Sequence, residues 1–394
     1  MSMKTIKLYD EQPYETEFEA AVISCTPSAK KDGAYEVTLD KTLFFPEEGG
    51  QTPDKGVLKA DGEEEVEVID VQIKDDIIYH TVSRKIPEGI TLCGIIDFEH
   101  RFSNMQQHTG EHIFSGIVHS IYGYDNVGFH LSDNIVTMDY SGKLDEDDIA
   151  KVEGLVNEAI FKDVCVKAWY PSKEELDKID YRSKKELSGD VRIVEIPGYD
   201  ICACCAPHVR RTGEIGILKV ISFQNYKGGT RVSILCGNRA YLYLKKEHDM
   251  IGRLALSLST SWENIPDVFS KQQEEIADLK KRLSDMAEKV LLKEAENLPD
   301  GENVCMFAQS GTDPNVARRI VNDLMEKKSG YCGIFIGNDA EGYRFIIGSK
   351  NCNCNDLLQE MRKTIQVRGG GAPAMVQGSV SCAGSDIEKV FACI

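Results

Sequence analysis

The sequence predicts an α+β protein built from several domains, and three observations support this class. At 394 residues the chain is longer than one hydrophobic core usually organises. Its hydrophobic pattern changes along the chain from the alternation of strands to the spacing of helices. Its composition, 42% hydrophobic and 28% charged, is that of a globular protein, and no apolar run approaches the length of a membrane span. We therefore expect separate folded domains and no membrane protein.

Residues 1–96 predict a small β-barrel or β-sandwich domain, and we expect the barrel. Short alternating or β-branched segments such as Tyr35–Leu39 and Val66–Ile69 are separated by Asp-Gly, Gly-Gly and proline signals. Gly49, Gly50 and Gln51 follow an apolar segment, so that the backbone can approach a ligand there. A plain hairpin turn explains the same spacing.

Residues 97–240 predict a mixed α+β domain. Apolar spacing indicates a helix that begins near Arg101 to Gln106 and a second, amphipathic helix near Asp145 to Phe161. A β-rich stretch that includes Val191–Ile196 follows.

Residues 241–300 predict a helical arm. Its apolar residues alternate steps of three and four among many Lys and Glu side chains, at Ile276, Leu279, Leu283, Met286 and Val290. This spacing is typical of a short coiled coil or of a helical hairpin packed on its own protein. Because a short helix with an apolar seam is marginal in water, we expect a homodimer through residues 268–394.

Residues 301–394 predict a separate α/β domain. Strands such as Tyr343–Ile347 and helices such as Asn355–Thr364 are followed by a glycine-rich loop.

Charge and cysteine content narrow the function. A formal net charge of −18 argues against broad non-specific binding of nucleic acid, so any RNA contact must use local basic patches. Thirteen cysteines without an export signal favour reduced thiols used for metal binding or catalysis in the cytoplasm.

The strongest local motif is His108-Thr109-Gly110-Glu111-His112. Histidines four residues apart on a helix project from one face and can share a metal ion. A surface pair or a hydrogen-bonded core pair of histidines gives the same pattern.

A second half-site follows at Cys204 and His208, also four residues apart, beside the rigid Pro207. Cysteine and histidine ligands suit tetrahedral Zn²⁺, and the two half-sites supply His108, His112, Cys204 and His208. Cys202 and Cys205 are alternative ligands.

These motifs resemble those of the alanyl-tRNA synthetase editing domain and its freestanding AlaX-like relatives. The resemblance includes the segment from Cys204 through Val209-Arg210-Arg211-Thr212-Gly213, the Gly-Gly-Gln segment and the strand that begins at Val191. Arg368–Gly378 resembles the glycine-rich signature of that family's C-terminal domain. The resemblance thus covers nearly the whole chain.

The resemblance implies trans-editing, the hydrolysis of the ester that joins serine or glycine to the tRNA for alanine. Because the barrel begins so early in the chain, no aminoacylation core is expected before it. Zinc is the implied cofactor, with Thr109 and Glu111 as candidates for directing a water. We expect substrate contacts at the following residues: Gly49, Gly50, Gln51, Asn126, Gly128, Arg210 and Arg211.

Three further hypotheses concern individual residues and the reaction class. Arg182, Lys184 and Lys185 are additional candidates for phosphate contacts. A tRNA-binding protein with a purely structural zinc is an alternative function. Glu111 also completes the inverted His-x-x-Glu-His motif of zinc proteases, in which the glutamate is the general base.

Overall fold

The computed structural model describes residues 4–183, 191–298 and 302–393, and its fold is α+β. The chain divides into two compact units, Met1–Ile251 and Gly252–Ile394. None of the described helices combines the length and the apolar character that crossing a membrane requires.

The first unit begins with a closed six-stranded barrel, as predicted. Its strands follow the order β2-β3-β7-β6-β5-β8, and a parallel pair of β1 with β4 lies beside them. The bounds are β1 Ile6–Lys7, β2 Glu17–Pro27, β3 Tyr35–Leu39, β4 Lys41–Thr42, β5 Gly56–Ala60, β6 Val66–Lys74, β7 Ile77–Val82 and β8 Thr91–Ile96. Alternate residues such as Val37, Leu39 and Ile78 fill its core.

The second part of this unit is built around a long buried helix, α1 (Phe98–Tyr122). Asp97 caps its first turn through the backbone N–H of His100, and Gly123 ends it in the left-handed conformation. The remaining elements are β9 Asn126–Leu131, β10 Val136–Tyr140, α2 Glu146–Phe161, β11 Lys167–Trp169, α3 Lys173–Leu176, β12 Ile193–Ile196, β13 Asp200–Ala203, β14 Leu218–Tyr226 and β15 Gly229–Cys236. They form one sheet of order β14-β15-β10-β9 and a second of order β11-β12-β13.

Arg101 fastens α1 to the barrel. Its guanidinium is fully buried, and Nε donates to Oδ1 of Asp54 at 2.9 Å while Nη1 donates to the carbonyl of Pro13 at 3.1 Å. A buried charge is tolerated only when it is paired and hydrogen-bonded, so this contact fixes where the helix starts.

The helix α4 (Gly237–Ser257) runs across the boundary between the two units. The second unit continues with α5 Ile265–Glu296, β16 Val304–Ala308, α6 Pro314–Lys327, β17 Cys332–Asn338, β18 Gly342–Gly348, α7 Cys354–Thr364, β19 Gln366–Ala372, β20 Met375–Ser381 and α8 Gly384–Ala392. Its sheet has the order β16-β17-β18-β20-β19, in which only β16 and β17 are parallel.

Two local expectations differ from the structure. The helix α1 begins at Phe98, where Asp97 caps it, and not near Arg101 to Gln106. Arg368–Gly378, expected as a loop, lies in the hairpin of β19 and β20, because three successive glycines allow two backbones to approach closely. A Cβ at Gly371 would lie 2.3 Å from the carbonyl oxygen of Met375. The four domains at 1–96, 97–240, 241–300 and 301–394 remain a prediction.

Candidate metal centre and active site

The helix α1 presents His108 and His112 inside the first unit. Both imidazoles are 2% exposed, and their ring centroids lie 5.2 Å apart. The spacing of four residues places them one turn apart on the same face, as the sequence predicts.

A loop after β13 carries Cys204 and His208 to these histidines. Arg192, at the start of the adjoining strand, donates from Nη1 to the carbonyl oxygens of Cys204 at 3.1 Å and Ala206 at 2.9 Å. The backbone N–H of Cys204 in turn donates to the carbonyl of Arg192. The loop is therefore held in place by side chain and backbone together.

The four side chains converge on one point. The candidate ligand atoms of His108, His112, Cys204 and His208 all lie within 4.8 Å of one another. Sγ of Cys204 is 3.6 Å from Nε2 of His108 and 3.3 Å from Nε2 of His208. Zn–S and Zn–N bonds in a tetrahedral site separate N from S by about 3.6 Å, so the donor set fits zinc.

Two of the three histidines are oriented by hydrogen bonds at Nδ1 to acceptors. Nδ1 of His108 lies 2.8 Å from Oε1 of Gln51, and Nδ1 of His112 lies 2.9 Å from Oδ2 of Asp200. Because neither oxygen carries a proton to donate, each Nδ1 is the donor, and in the neutral imidazole each Nε2 has a lone pair that can bind a metal.

His208 is oriented in the same way by Thr109. The hydroxyl of Thr109 donates to the carbonyl of Met105 at 2.8 Å, so its oxygen accepts from Nδ1 of His208 at 3.0 Å. The backbone N–H of Val209 also donates to this oxygen, at 3.3 Å. Thr109 is thus engaged in holding a candidate ligand.

The electrostatics suit a bound cation. Burial raises the pKa of the Cys204 thiol, but the imidazoles of His108 and His208 outweigh it and bring the pKa well below its ordinary value. Burial lowers the pKa of His208 to about 3, which keeps its imidazole neutral. Burial also opposes the charging of His112, yet the hydrogen bond to Asp200 raises its pKa to about 9. The site therefore offers a thiolate at Cys204 and a neutral imidazole at His208, and a metal that binds His112 would displace the proton of its Nε2.

The Gly49-Gly50 segment is a tight turn that approaches β9. Both glycines have positive φ, +64° and +85°, and a Cβ on Gly50 would lie 2.5 Å from the carbonyl oxygen of Phe129. The carbonyl of Gly50 accepts from the N–H of Leu131 at 2.7 Å. The segment is therefore a turn, as one interpretation of the sequence predicts, and its backbone lies close to β9, while its approach to a ligand stays a prediction.

Gln51 follows this turn and contacts the candidate ligand His108. Its side chain is fully buried, and Oε1 accepts from His108, whereas Nε2 has no hydrogen-bond acceptor among the described residues. A buried donor without a partner is costly and is often found where a ligand or water completes the site.

Comparisons with known proteins agree with this geometry. Residues 191–233 match the model of the threonyl and alanyl tRNA synthetase second additional domain, and residues 3–99 match that of class II (A) tRNA synthetases. The alanyl-tRNA editing protein AlaX-L of Pyrococcus horikoshii is 28% identical over 98% of this chain and 96% of its own length. The chain belongs to the alanyl-tRNA synthetase editing-domain family.

Other similar proteins are longer, or match only a part of this chain. The alanine–tRNA ligase of Ignicoccus hospitalis is 29% identical over 93% of this chain, which spans 40% of that ligase. The C-Ala domain of the Aquifex aeolicus alanyl-tRNA synthetase is 20% identical over 25% of this chain and 90% of that domain. The TM-score between the two structures is 0.20.

Glu111 belongs to a buried polar network that includes Ser115, Asn126 and Tyr140. Its Oε1 accepts from Oγ of Ser115 at 2.6 Å and from Nδ2 of Asn126 at 2.7 Å. Oγ of Ser115 also lies 2.9 Å from the hydroxyl of Tyr140. Glu111 is not among the four atoms that converge on the candidate metal position.

Asn126 and Gly128, both predicted to contact substrate, have internal partners. Nδ2 of Asn126 donates to Glu111 and Ser115, and its Oδ1 accepts from the N–H of Gly128. A Cβ on Gly128 would lie 2.8 Å from Oδ2 of Asp139. These contacts favour a role in holding the start of β9.

The arginines after His208 lie at the surface. Arg210 places its guanidinium 4.0 Å from the ring centroid of Tyr14, and Arg211 donates from Nε to Asp163 at 2.7 Å. Arg182 instead donates to Oδ1 of Asp200 at 2.8 Å and is part of the support of His112. Lys184 and Lys185 lie outside the described residues.

Three residues of the site were missed by the sequence interpretation. Asp200 and Arg192 support ligands through contacts that no spacing in the sequence records. The ring of Phe129 lies 4.9 Å from that of His108 and forms part of the wall. A carboxylate four residues before Cys204 was the one available signal for Asp200.

Proposed function

We propose that this chain is a trans-editing hydrolase that deacylates tRNA for alanine mischarged with serine or glycine, at a zinc site. The observation that carries the proposal is the convergence of four buried ligands whose three histidines are each oriented by a separate hydrogen-bond partner. The similarity to an alanyl-tRNA editing protein over nearly the full length of both chains supports the substrate class.

His108, His112, Cys204 and His208 would hold the metal, and Cys202 and Cys205 are the alternative thiols. Bound zinc supplies a Lewis acid and lowers the pKa of a coordinated water to about 7. Cys202 lies near Asp200 and His112 in a second, overlapping group of possible ligands. Desolvation raises the thiol pKa of both alternatives, so that Cys204 is the best thiolate of the three.

Gln51 supplies the polar contact for the scissile ester. Because its Oε1 is fixed by His108, its free Nε2 donor keeps a constant direction. A preorganised donor beside a carbonyl that gains negative charge stabilises the transition state, typically by about 3 kcal/mol. The glycine turn brings Gln51 to this position, because the positive φ of Gly49 and Gly50 and the close approach of Gly50 to Phe129 exclude larger residues.

In this proposal Thr109 and Glu111 do not react with the substrate but hold neighbouring side chains in position. Thr109 fixes His208, and Glu111 fixes Asn126 and the start of β9. A bound zinc ion or a terminal ribose hydroxyl of the tRNA would then direct the water that attacks the ester carbonyl.

Exposed arginines provide the contact for tRNA. Arg210 is exposed and stacked on Tyr14, so its guanidinium has a fixed plane and can meet a phosphate, and Arg211 adds a second charge. Such local contacts are what a chain of net charge −18 needs to bind RNA. The proposal includes a homodimer through residues 268–394.

A non-catalytic tRNA-binding protein with a structural zinc is the second candidate. Four protein ligands around one metal are typical of closed structural sites, and this observation favours it. The inverted zinc-protease reading has less support, because Glu111 is bound to Ser115 and Asn126.

A deacylation assay separates these functions. Purified full-length protein is incubated with tRNA for alanine charged separately with serine, glycine and alanine, and the remaining ester is measured with time. We expect fast loss of the serine or glycine ester and slow loss of the alanine ester. Tight binding of tRNA with no hydrolysis of any ester would support the binding protein.

A further inference from the structure

Glu48 and Gln51 lie opposite each other across the glycine turn. The two residues form an antiparallel bridge, and the backbone N–H of Gln51 donates to the carbonyl of Glu48 at 3.1 Å. The positive φ angles of Gly49 and Gly50 are those that a two-residue turn of this kind requires. Side chains opposite each other in an antiparallel pair lie on the same face, with their Cβ atoms about 5 Å apart. The side chains of Glu48 and Gln51 therefore leave the turn on the same side.

Each of these two side chains has one buried polar atom without a partner. Among the described residues, Nε2 of Gln51 has no acceptor and Oε2 of Glu48 has no donor. One atom is a donor and the other an acceptor on the same face of the turn, yet they are not bonded to each other. A ligand that both donates and accepts a hydrogen bond would satisfy the two atoms together.

The carboxylate of Glu48 also lacks a cationic partner. No lysine, arginine or histidine in the described part of the chain pairs with it. Withdrawing a carboxylate oxygen from water is costly unless a positive charge compensates it. A ligand group that carries a positive charge therefore fits this position better than a neutral one.

The pair of Glu48 and Gln51 is joined to the candidate metal centre through both of its members. The thiol of Cys205 donates a hydrogen bond to the carboxylate of Glu48, and Cys205 directly follows the candidate ligand Cys204. Oε1 of Gln51 accepts from the candidate ligand His108. The free donor and the free acceptor are thus held by the same two segments that carry the metal ligands.

We propose that Glu48 binds the α-ammonium group of the amino acid whose ester is hydrolysed, while Gln51 binds the ester carbonyl. In an aminoacyl ester the ammonium nitrogen and the carbonyl oxygen are attached to neighbouring carbon atoms. One end of the substrate therefore supplies both the donor and the acceptor that the turn lacks, and its donor is charged. This inference rests on the proposed function for its substrate, and it adds the chemical group that Glu48 recognises.

A contact of this kind restricts the site to esters of free amino acids. An ester whose amino group is acylated, as in a peptidyl ester, carries no positive charge at that nitrogen. Its binding would leave the carboxylate of Glu48 without a compensating charge, which disfavours the wrong ligand. We therefore expect N-acylated esters to be poor ligands.

A binding experiment with two stable analogues tests the contact. The analogues are 3′-amino-3′-deoxyadenosine linked through an amide to serine or to glycerate, so that they differ only by an ammonium or a hydroxyl group at the α-carbon. Isothermal titration calorimetry at pH 7 and low ionic strength gives the dissociation constants for the full-length protein. We expect wild type to bind the serine analogue about 10- to 100-fold more tightly than the glycerate analogue.

Glu48→Gln and Glu47→Gln form a matched pair of variants. Glu48→Gln removes the charge but keeps a side-chain oxygen for Cys205, so the preference for the serine analogue should fall to within about threefold. Glu47 is exposed and accepts from Nε2 of Gln72 at 2.8 Å, so Glu47→Gln should keep the preference of wild type. Zinc content and far-UV circular dichroism should be the same in both variants.

Two results would overturn the inference. One is an equal affinity of wild type for the two analogues. The other is a preference that persists in Glu48→Gln, which would show that another group holds the ammonium. Failure of the proposed function appears in a different measurement, because a wild type that prefers the serine analogue but hydrolyses no mischarged ester would refute the deacylase and retain the ammonium site.

Discussion

Oε1 of Gln51 lies 2.8 Å from Nδ1 of His108, and this contact joins the turn of the barrel domain to the long helix that carries two candidate ligands. The two residues are 57 positions apart in the chain. Because Oε1 is taken by the histidine, the amide nitrogen is left as a buried, directed donor.

The ligand set predicts close to one zinc per chain. His112→Ala or Cys204→Ala should remove most of the metal, since each deletes one of four donors. Metal content is measured by elemental analysis after dialysis. Cys205→Ala is the matched control and should keep its zinc. Loss of zinc from Cys202 or Cys205 variants, with full zinc in Cys204→Ala, would show that the ligand set is wrong.

The free amide donor of Gln51 predicts a defect in catalysis without a defect in metal binding. Gln51→Glu keeps an oxygen for His108 but removes the Nε2 donor, so the chain should retain zinc. Hydrolysis of the mischarged ester should fall by about 100-fold in kcat/KM. Gln51→Ala removes both contacts and should lower zinc affinity as well. Full activity of Gln51→Glu would exclude the proposed contact with the ester.

Asp200 is not one of the four candidate ligands, but its contact with His112 should affect the affinity for zinc. Asp200→Asn weakens the acceptor for Nδ1 of His112 and the ion pair with Arg182, so zinc affinity should fall by about 10- to 100-fold. Competition with a chromophoric chelator measures this change. Asp163→Asn, which breaks the exposed pair with Arg211, is the control and should leave zinc affinity unchanged. Equal effects of the two variants would contradict the supporting role of Asp200.

Glu111 should act by position and not as a general base. Glu111→Gln keeps an oxygen acceptor for Ser115 and Asn126, so activity should fall by less than about threefold, whereas loss of a general base costs about 100-fold or more. Glu111→Ala removes the carboxylate that accepts from the buried Asn126 amide and from the Ser115 hydroxyl, and should destabilise the fold by about 1–3 kcal/mol. Single-turnover hydrolysis and thermal unfolding provide the two readouts. A 100-fold loss in Glu111→Gln with unchanged stability would restore the general-base hypothesis.

The buried His80 should make the barrel less stable at acidic pH. Burial lowers its pKa to about 4, while Nε2 lies 2.9 Å from Oγ1 of Thr42 in the core. The unfolded chain takes up the proton at about pH 6.5, so this stability is present above pH 6.5 and is lost as the pH falls toward 4. The full effect is about 3 kcal/mol.

Hydrogen exchange of the barrel amides measures this loss locally, which matters for a chain with two units. His80→Gln removes the titrating group, so its barrel should weaken less between pH 7 and pH 5 than that of wild type. His119→Asn, at the surface, is the control. Identical pH dependence in His80→Gln and wild type would refute the assignment.

The local patterns of the sequence were informative wherever neighbouring residues decide the structure. Two segments with alternating apolar residues form strands, at Tyr35–Leu39 and within Val66–Lys74. The segment with helical apolar spacing that ends at Phe161 forms a helix. A spacing of four placed His108 and His112 on one face of α1, because the period of the helix fixes that relation. The sequence also predicted Cys204 and His208 as the second half-site, and the structure brings both residues to the two histidines.

Contacts between distant segments were decided only by the tertiary structure. Asp200 meets His112 across 88 positions, and Thr109 meets His208 across 99. Nothing local distinguishes a carboxylate that will orient a ligand from one that faces solvent, since the difference is made by the register of β12 with β13 and by the packing of α1. The sequence thus determined which residues can bind a metal, and the tertiary structure determined which atoms hold them in place.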